Sequence, residues 1–329
     1  MSSRFVVASS PHIHAPLDTR KIMAWVLAAL LPAGAAGVWF LGLSSVWVIV
    51  TCVVVCVGSE YLWQKLAGQP VTVSDLSAAV TGLLLAYNLP PSVPLWMAAC
   101  GSVFAIVLVK QFFGGLGGNI VNPALAARAM MLISWPVAMT TWTVQGVSGA
   151  TPLGLLKGMA AASESSVAAV SQATGAAVSA ASAPVLPSWW DLLVGNVGGC
   201  IGETSAAALL LGGALLVWKG IVSWRIPTVY IGTVAVLSLA FGRAEGPFYE
   251  VLAGGLMLGA VFMATDYTTS PMTAKGQYVF AAGCGLLTAL IRTFGGYPEG
   301  VSYSILIMNL TVPLIDRMTV PRILGEAKR

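Results

Sequence analysis

The sequence predicts an all-α polytopic membrane protein, with about ten transmembrane helices in two inverted five-helix repeats. Three observations predict it. The 329 residues are 57% hydrophobic and only 9% charged, with a mean hydropathy of +0.86, whereas soluble domains are about 25% charged. Apolar runs of helical length recur along the chain, and short stretches repeat at an offset of 176–181 residues. The composition excludes an ordinary soluble enzyme, a disordered tail and a nucleic-acid-binding domain.

The first twenty residues are polar, with Pro11 and Pro16, so the run from Ile22 reads as an uncleaved first span. Residues 1–21 form a cytoplasmic N-terminal segment. The first repeat, 22–139, holds spans near 22–43, 46–64, 74–88, 93–113 and 121–139. An extracytoplasmic stretch, 140–196, follows; its Ala/Ser-rich middle reads as a linker. The second repeat, 197–318, holds spans near 197–218, 226–242, 248–265, 276–294 and 301–316, and 319–329 is a cytoplasmic tail.

Two spans read as broken. The third is short and ends in Asn88-Leu89-Pro90-Pro91; the eighth ends in Asp266-Tyr267-Thr268-Thr269-Ser270-Pro271. Proline and side chains that bond the backbone end helices. Lysine and arginine orient the set. With both termini in the cytoplasm, twelve basic residues fall inside, Lys65, Lys110 and Lys275 among them. Only Lys157, Arg243 and Arg292 fall outside, which is the positive-inside pattern.

The halves resemble each other. Val103-Phe104-Ala105 matches Val279-Phe280-Ala281, and Phe113-Gly114-Gly115 matches Phe294-Gly295-Gly296. Five spans per half is an odd number, so the second half enters from the opposite face. Such inverted repeats place binding sites near the midplane, at paired broken helices.

Five cysteines, Cys52, Cys56, Cys100, Cys200 and Cys284, all lie in apolar runs, without a CxxC pair. No spacing suits zinc or an iron–sulfur cluster, so no metal site is expected. His12 and His14 read as loop contacts.

Charged groups inside apolar spans are functional candidates by default. Four stand out: Glu60, Arg128, Glu203 and Asp266. Arg128 follows Gly114-Gly115-Leu116-Gly117-Gly118-Asn119-Ile120-Val121-Asn122-Pro123. Pro123 suits a first helical turn with Asn122 as its N-cap. A helix N-terminus with a nearby arginine favours an anion; close packing of helices on glycine is the plainer reading.

After the fifth span comes Gly146-Val147-Ser148-Gly149-Ala150-Thr151-Pro152-Leu153. Small neighbours leave the Thr151 hydroxyl accessible. Ser148-Gly149-Ala150-Thr151 resembles the flavinylation motif of the RnfD/NqrB family, membrane subunits of the Rnf complex and of the sodium-pumping NADH:quinone reductase. Ser10-Pro11-His12, Gly118–Ala124 with Arg128, and Thr265–Pro271 resemble the same family in the same order. The resemblance covers residues 8–320. One departure is Gln145, where the family pattern usually has an acid. The short N-terminal segment resembles RnfD more than NqrB.

The resemblance implies a urea-transporter-like fold and a redox subunit of an ion pump in a bacterial or archaeal cytoplasmic membrane. Electrons would pass between ferredoxin and NAD, coupled to Na⁺ or H⁺. It implies FMN joined to Thr151 by a phosphodiester bond that a flavin transferase makes on the outer face. Other membrane, iron–sulfur and flavin subunits are the implied partners. A second, non-covalent flavin such as riboflavin is held by the NqrB relative. The Gly114–Asn122 loop, with Asn119 and Asn122, then lines the flavin pocket with Arg128 and the Asn88 break. Glu60, Glu203 and Asp266 are the candidate ion partners. The competing readings are an NqrB-type quinone reductase subunit, a solute channel without flavin, and a scaffold that only docks redox partners.

Overall fold

The computed structural model describes residues 18–144, 147–149, 151–158, 186–242, 246–295 and 300–320. His12, His14, Gln145, Ala150, Arg243 and most of the Ala/Ser-rich linker lie outside the described residues. The regular structure of the described residues is helical apart from one short hairpin.

Helix α1 (Thr19–Leu41) starts where Asp18 accepts a hydrogen bond from the Thr19 N–H, and α2 (Leu43–Leu66) follows after Gly42 alone. Helix α3 (Ser77–Tyr87) is short and stops at Asn88, before Pro90 and Pro91. Helix α4 begins at Leu95 and passes through a π-helical stretch, Phe104–Lys110, to reach Phe113. Helix α5 (Pro123–Ser134) and the single turn α6 (Pro136–Thr140) divide one predicted span in two at Pro136. Proline removes a donor and clashes with the preceding turn, which accounts for the division.

A hairpin follows. Strands β1 (Trp142–Val144) and β2 (Val147–Gly149) pair antiparallel, with Trp142 opposite Gly149. The short helix α7 (152–158) starts directly after Thr151. Helix α8 (Trp189–Val194) is closed at its start by a capping box between Ser188 and Asp191.

The predicted sixth span, 197–218, is helical only in α9 (Ala206–Trp218); residues 197–205 are turns and irregular backbone. Helix α10 (Arg225–Ala240) follows. The predicted eighth span is also broken inside its apolar run. It is α11 (Gly246–Leu252), then a turn at Gly254-Gly255, then α12 (Leu256–Leu258) running into a π-helical stretch, Gly259–Met263. Helices α13 (Ala274–Phe294) and α14 (Val301–Thr319) complete the described chain.

Among the described residues, four helices are long and apolar enough to cross a membrane: Thr19–Leu41, Leu43–Leu66, Leu95–Phe113 and Ala274–Phe294. Shorter apolar helices, α3, α5, α9 and α10, accompany them. Helix α2 packs on α3 and α4, α10 packs on α11 and α13, and α13 packs on α14. Helix α1 also packs on α9, and α5 on α14.

The irregular stretch before α9 has a definite partner. The Ile201 N–H donates to the Leu89 carbonyl (3.1 Å) and the Gly202 N–H to the Tyr87 carbonyl (2.9 Å). Carbonyls at the end of α3 are thereby satisfied away from water, the condition under which non-helical backbone survives at membrane depth. Gly202 is required there, since a Cβ would lie 2.3 Å from the Tyr87 Cβ.

Candidate functional site

Three elements bring polar side chains to this junction. Asn122 caps α5 as predicted: its Oδ1 accepts from the Ala124 and Leu125 N–H groups (3.1 and 3.3 Å), with Pro123 at the first helical position. The cap fixes the start of α5, and Arg128 then lies on its buried face. The Arg128 guanidinium donates to Asn88 Oδ1 (2.7 Å) at the end of α3. It also meets Glu203 Oε1 (3.3 Å) and Cys200 Sγ (3.5 Å) before α9. Cys200 in turn donates to the Asn88 carbonyl (3.2 Å). Asn88, Arg128 and Glu203, singled out separately in the sequence, therefore form one buried cluster.

Thr151 is buried, and its hydroxyl caps the start of α7 by accepting from the Gly154 N–H (3.1 Å). That bond is a local reason for a threonine here. The wider surroundings add to it. Thr151 lines a small cavity with Gly198, Gly199, Gly254 and Glu203. Glu203 also lines a second small cavity, with Asn88, Arg128, Gly255 and Arg292. One carboxylate thus stands between the Thr151 hydroxyl and the arginine cluster. Ser148 and Gly149 belong to strand β2, just before Thr151.

The Thr151 hydroxyl thus stands among bare glycine backbone, with the Arg128–Glu203 pair nearby. The small walls matter here, because a Cβ on Gly255 would fall 2.3 Å from Glu203 Oε1.

The other candidates lie elsewhere. A cleft of about 800 Å³ opens beside the start of α1. Asn119, Asn122, Asp266 and Lys110 are among its lining residues. Asp266 follows the second π-helical stretch and accepts from the Thr268 and Thr269 hydroxyls (3.0 and 3.2 Å).

Glu60 is paired with Lys110 (2.8 Å) and accepts from Gln111 (2.7 Å), while Lys110 also donates to the Ser77 hydroxyl (2.6 Å). Glu60 Oε2 has no hydrogen-bond partner among the described residues. Glu60, Glu203 and Asp266 are thus held by three different sets of neighbours. Among the described residues, no three His, Cys, Asp or Glu side chains gather as a metal site.

Sequence reasoning treated Lys110 and Arg292 as charges flanking the membrane. Both are buried, 2% and 1% exposed, and each is paired with an acid, Arg292 with Glu250 (3.2 Å). A signal was present: each precedes a Phe-Gly-Gly by two or three residues, inside the apolar run rather than after it.

The chain matches the model of the NQR2, RnfD, RnfE family over residues 6–325. It is 50% identical to the D subunit of the Na⁺-translocating ferredoxin:NAD⁺ oxidoreductase complex of Acetobacterium woodii, covering 98% of this chain and 96% of that protein. It is 46% identical to the D subunit of the proton-translocating ferredoxin:NAD⁺ oxidoreductase complex of Clostridium ljungdahlii, covering 96% and 95%. The D subunit of the ion-translocating oxidoreductase complex of Halorhodospira halophila is 37% identical, over 98% and 96%.

Proposed function

The chain belongs to the NQR2, RnfD, RnfE family, and on that premise we propose that it is a membrane subunit of an ion-translocating ferredoxin:NAD⁺ oxidoreductase, carrying FMN on Thr151. The observation that carries the flavin reading is the shared wall. Glu203 lines the cavity of Thr151 and is ion-paired to Arg128. When bound, the flavin would supply transfer of one or two electrons. The chain's own residues would do the rest. Thr151 tethers, Asn88 and Arg128 orient, and the glycine walls keep the space open. Arg128 offsets negative charge close to the ring, where low dielectric makes such charge count.

The architecture belongs to the same proposal. Two inverted five-helix repeats would make α1 the counterpart of α9, and α5 of α14. Both pairs are in contact, an arrangement that a two-fold relation allows. The membrane is the cytoplasmic one, with both termini inside and Thr151 outside. The large cleft beside α1 is our proposed seat for a second, non-covalent flavin such as riboflavin, with Asn119 and Asn122 at its wall. The partners are the other subunits of the complex and, during maturation, a flavin transferase.

The coupling ion is Na⁺ or H⁺. One relative is named for Na⁺ and another for protons at 50% and 46% identity, so overall similarity does not choose between them. Glu60, Glu203 and Asp266 are the proposed ion partners. Glu60→Gln, Glu203→Gln and Asp266→Asn should each abolish ion transport by the complex while leaving the flavin bound. Unchanged transport in all three would overturn that assignment.

In-gel fluorescence tests the flavin. The chain is produced with and without a flavin transferase, denatured, run on a gel and lit in the near-UV. A fluorescent band that needs both the transferase and Thr151 is expected. A dark band under every condition would refute the reading and return the solute-channel alternative.

A further inference from the structure

Lys110 stands in the middle of a short polar chain. Its ammonium donates to Glu60 Oε1 (2.8 Å) and to the Ser77 hydroxyl (2.6 Å), and that hydroxyl donates to Asp75 Oδ1 (2.6 Å). The Ser77 N–H also donates to Asp75 Oδ1 (2.7 Å), which holds that carboxylate beside the start of α3. Glu60 is 1% exposed, whereas Asp75 is half-buried. One cation thus lies between an enclosed carboxylate and a second one nearer the surface, with a single hydroxyl on the way to the second.

Three features set this pair apart from a plain tie between α2 and α4. Glu60 Oε2 is buried and has no partner among the described residues. Lys110 and Ser77 line the large cleft and Glu60 does not, so a cation coming from the cleft meets Lys110 first. Lys110 also closes the π-helical stretch Phe104–Lys110, and such stretches are frequent at functional sites. A carboxylate as enclosed as Glu60 needs a cation beside it, because an unpaired buried charge is costly. A second cation beside the first would be repelled. An arriving ion therefore takes the place of the ammonium, and the exchange needs no vacant cavity.

We propose that Lys110 is a tethered counter-cation of the ion site, displaced from Glu60 toward Ser77 and Asp75 when Na⁺ or H⁺ occupies the Glu60 carboxylate. The inference rests on Glu60 being an ion partner. Na⁺ is held by the Glu60 oxygens, or a proton bonds to one of them; Lys110 keeps its own protons in either case. Glu60 exchanges one cation for another, and Asp75 receives the ammonium. When the ion leaves, Lys110 returns to Glu60 and opposes its re-entry.

The test uses the whole complex in proteoliposomes, driven by ferredoxin oxidation. Transport is measured against Na⁺ at fixed pH and against pH at fixed Na⁺, which identifies the pumped ion. The titratable neighbours of Glu60 are Lys110, Cys56 one turn earlier on α2 and, behind Ser77, Asp75. Lys110→Met should lower the half-saturating concentration of the pumped ion about tenfold, within the usual range for coupled sites. It should also lower maximal turnover, because release has lost its competitor. Asp75→Asn should raise the half-saturating concentration, because Lys110 has lost its second acceptor. If Lys110→Met does not fold, Asp75→Asn decides the matter from a half-buried position. The parent's half-saturation in Asp75→Asn, or an unchanged or raised value in Lys110→Met, would overturn the proposal and leave Glu60 an ion partner. Full transport by Glu60→Gln would overturn the ion-partner reading and this inference with it.

Discussion

The two ends of α1 carry two kinds of buried charge. At its start, Ile22, Met23 and Val26 border the large cleft, where Lys110 pairs with Glu60. Toward its end, Phe40 packs on Gly195, two residues before the chain that lines the Thr151 cavity. Twenty-three helical residues separate these ends, about 34 Å at ~1.5 Å per residue. The Arg128–Glu203 pair is enclosed among small cavities and makes further bonds to Asn88 and Cys200. Lys110 lines the cleft, while Glu60 behind it is 1% exposed and keeps one oxygen without a partner among the described residues. The Arg128 pair, bonded on several sides, holds geometry, whereas the spare carboxylate oxygen of Glu60 can take an ion or a proton. The comparison makes Glu60 the more available of these two proposed ion partners and Glu203 the more tightly held.

The largest expected effect is at the enclosed end. Arg128→Met leaves the Glu203 carboxylate buried without its cation, a loss of about 3–5 kcal/mol, read as a lower thermal unfolding temperature in detergent. Adding Glu203→Met should recover most of it, because the uncompensated charge is then gone. Lys110→Met should cost nearly as much, toward the lower end of about 3–5 kcal/mol, because Glu60 is 1% exposed but keeps its bond from Gln111. A negligible loss there would mean that water reaches Glu60 and would break the comparison.

Gly202→Ala sharpens it. The new Cβ meets Tyr87 at the junction that holds Asn88, and overpacking there should cost about 1–3 kcal/mol. It should also disturb the enclosed cluster while leaving the cleft intact, seen as faster hydrogen exchange at Asn88–Leu89 than at Ser77–Val80. Uniform acceleration would contradict a local junction. The smallest effect is Asn122→Ala at the cleft, which removes the N-cap of α5 for about 1 kcal/mol, measured by the same unfolding scan.

The local parts of this picture were legible in the sequence. Asn122-Pro123 reads as a helix start, and Asn88 before two prolines reads as a helix end, because caps and prolines act within a few residues. The apolar, helical character follows from composition for the same reason. The irregular stretch at 197–205 was not legible. Val197-Gly198-Gly199-Cys200-Ile201 is as apolar as a span, and what holds it open is bonding to Tyr87 and Leu89, more than a hundred residues earlier. The break at Gly254-Gly255 was hidden in the same way. Lys110 and Arg292 looked like charges at membrane edges, since a cation near the end of an apolar run is usually solvated. Their acids, Glu60 on α2 and Glu250 on α11, come from other elements, and only the fold brings them within reach.

The central claim is that Thr151 carries the flavin. Intact-mass and peptide mass spectrometry of the chain, produced with a flavin transferase, tests it most directly. The account predicts a gain of one FMN less one water, located on the peptide that contains Thr151 and lost in Thr151→Ala. An unmodified mass in the presence of active transferase, or the same gain on a different residue, would contradict it.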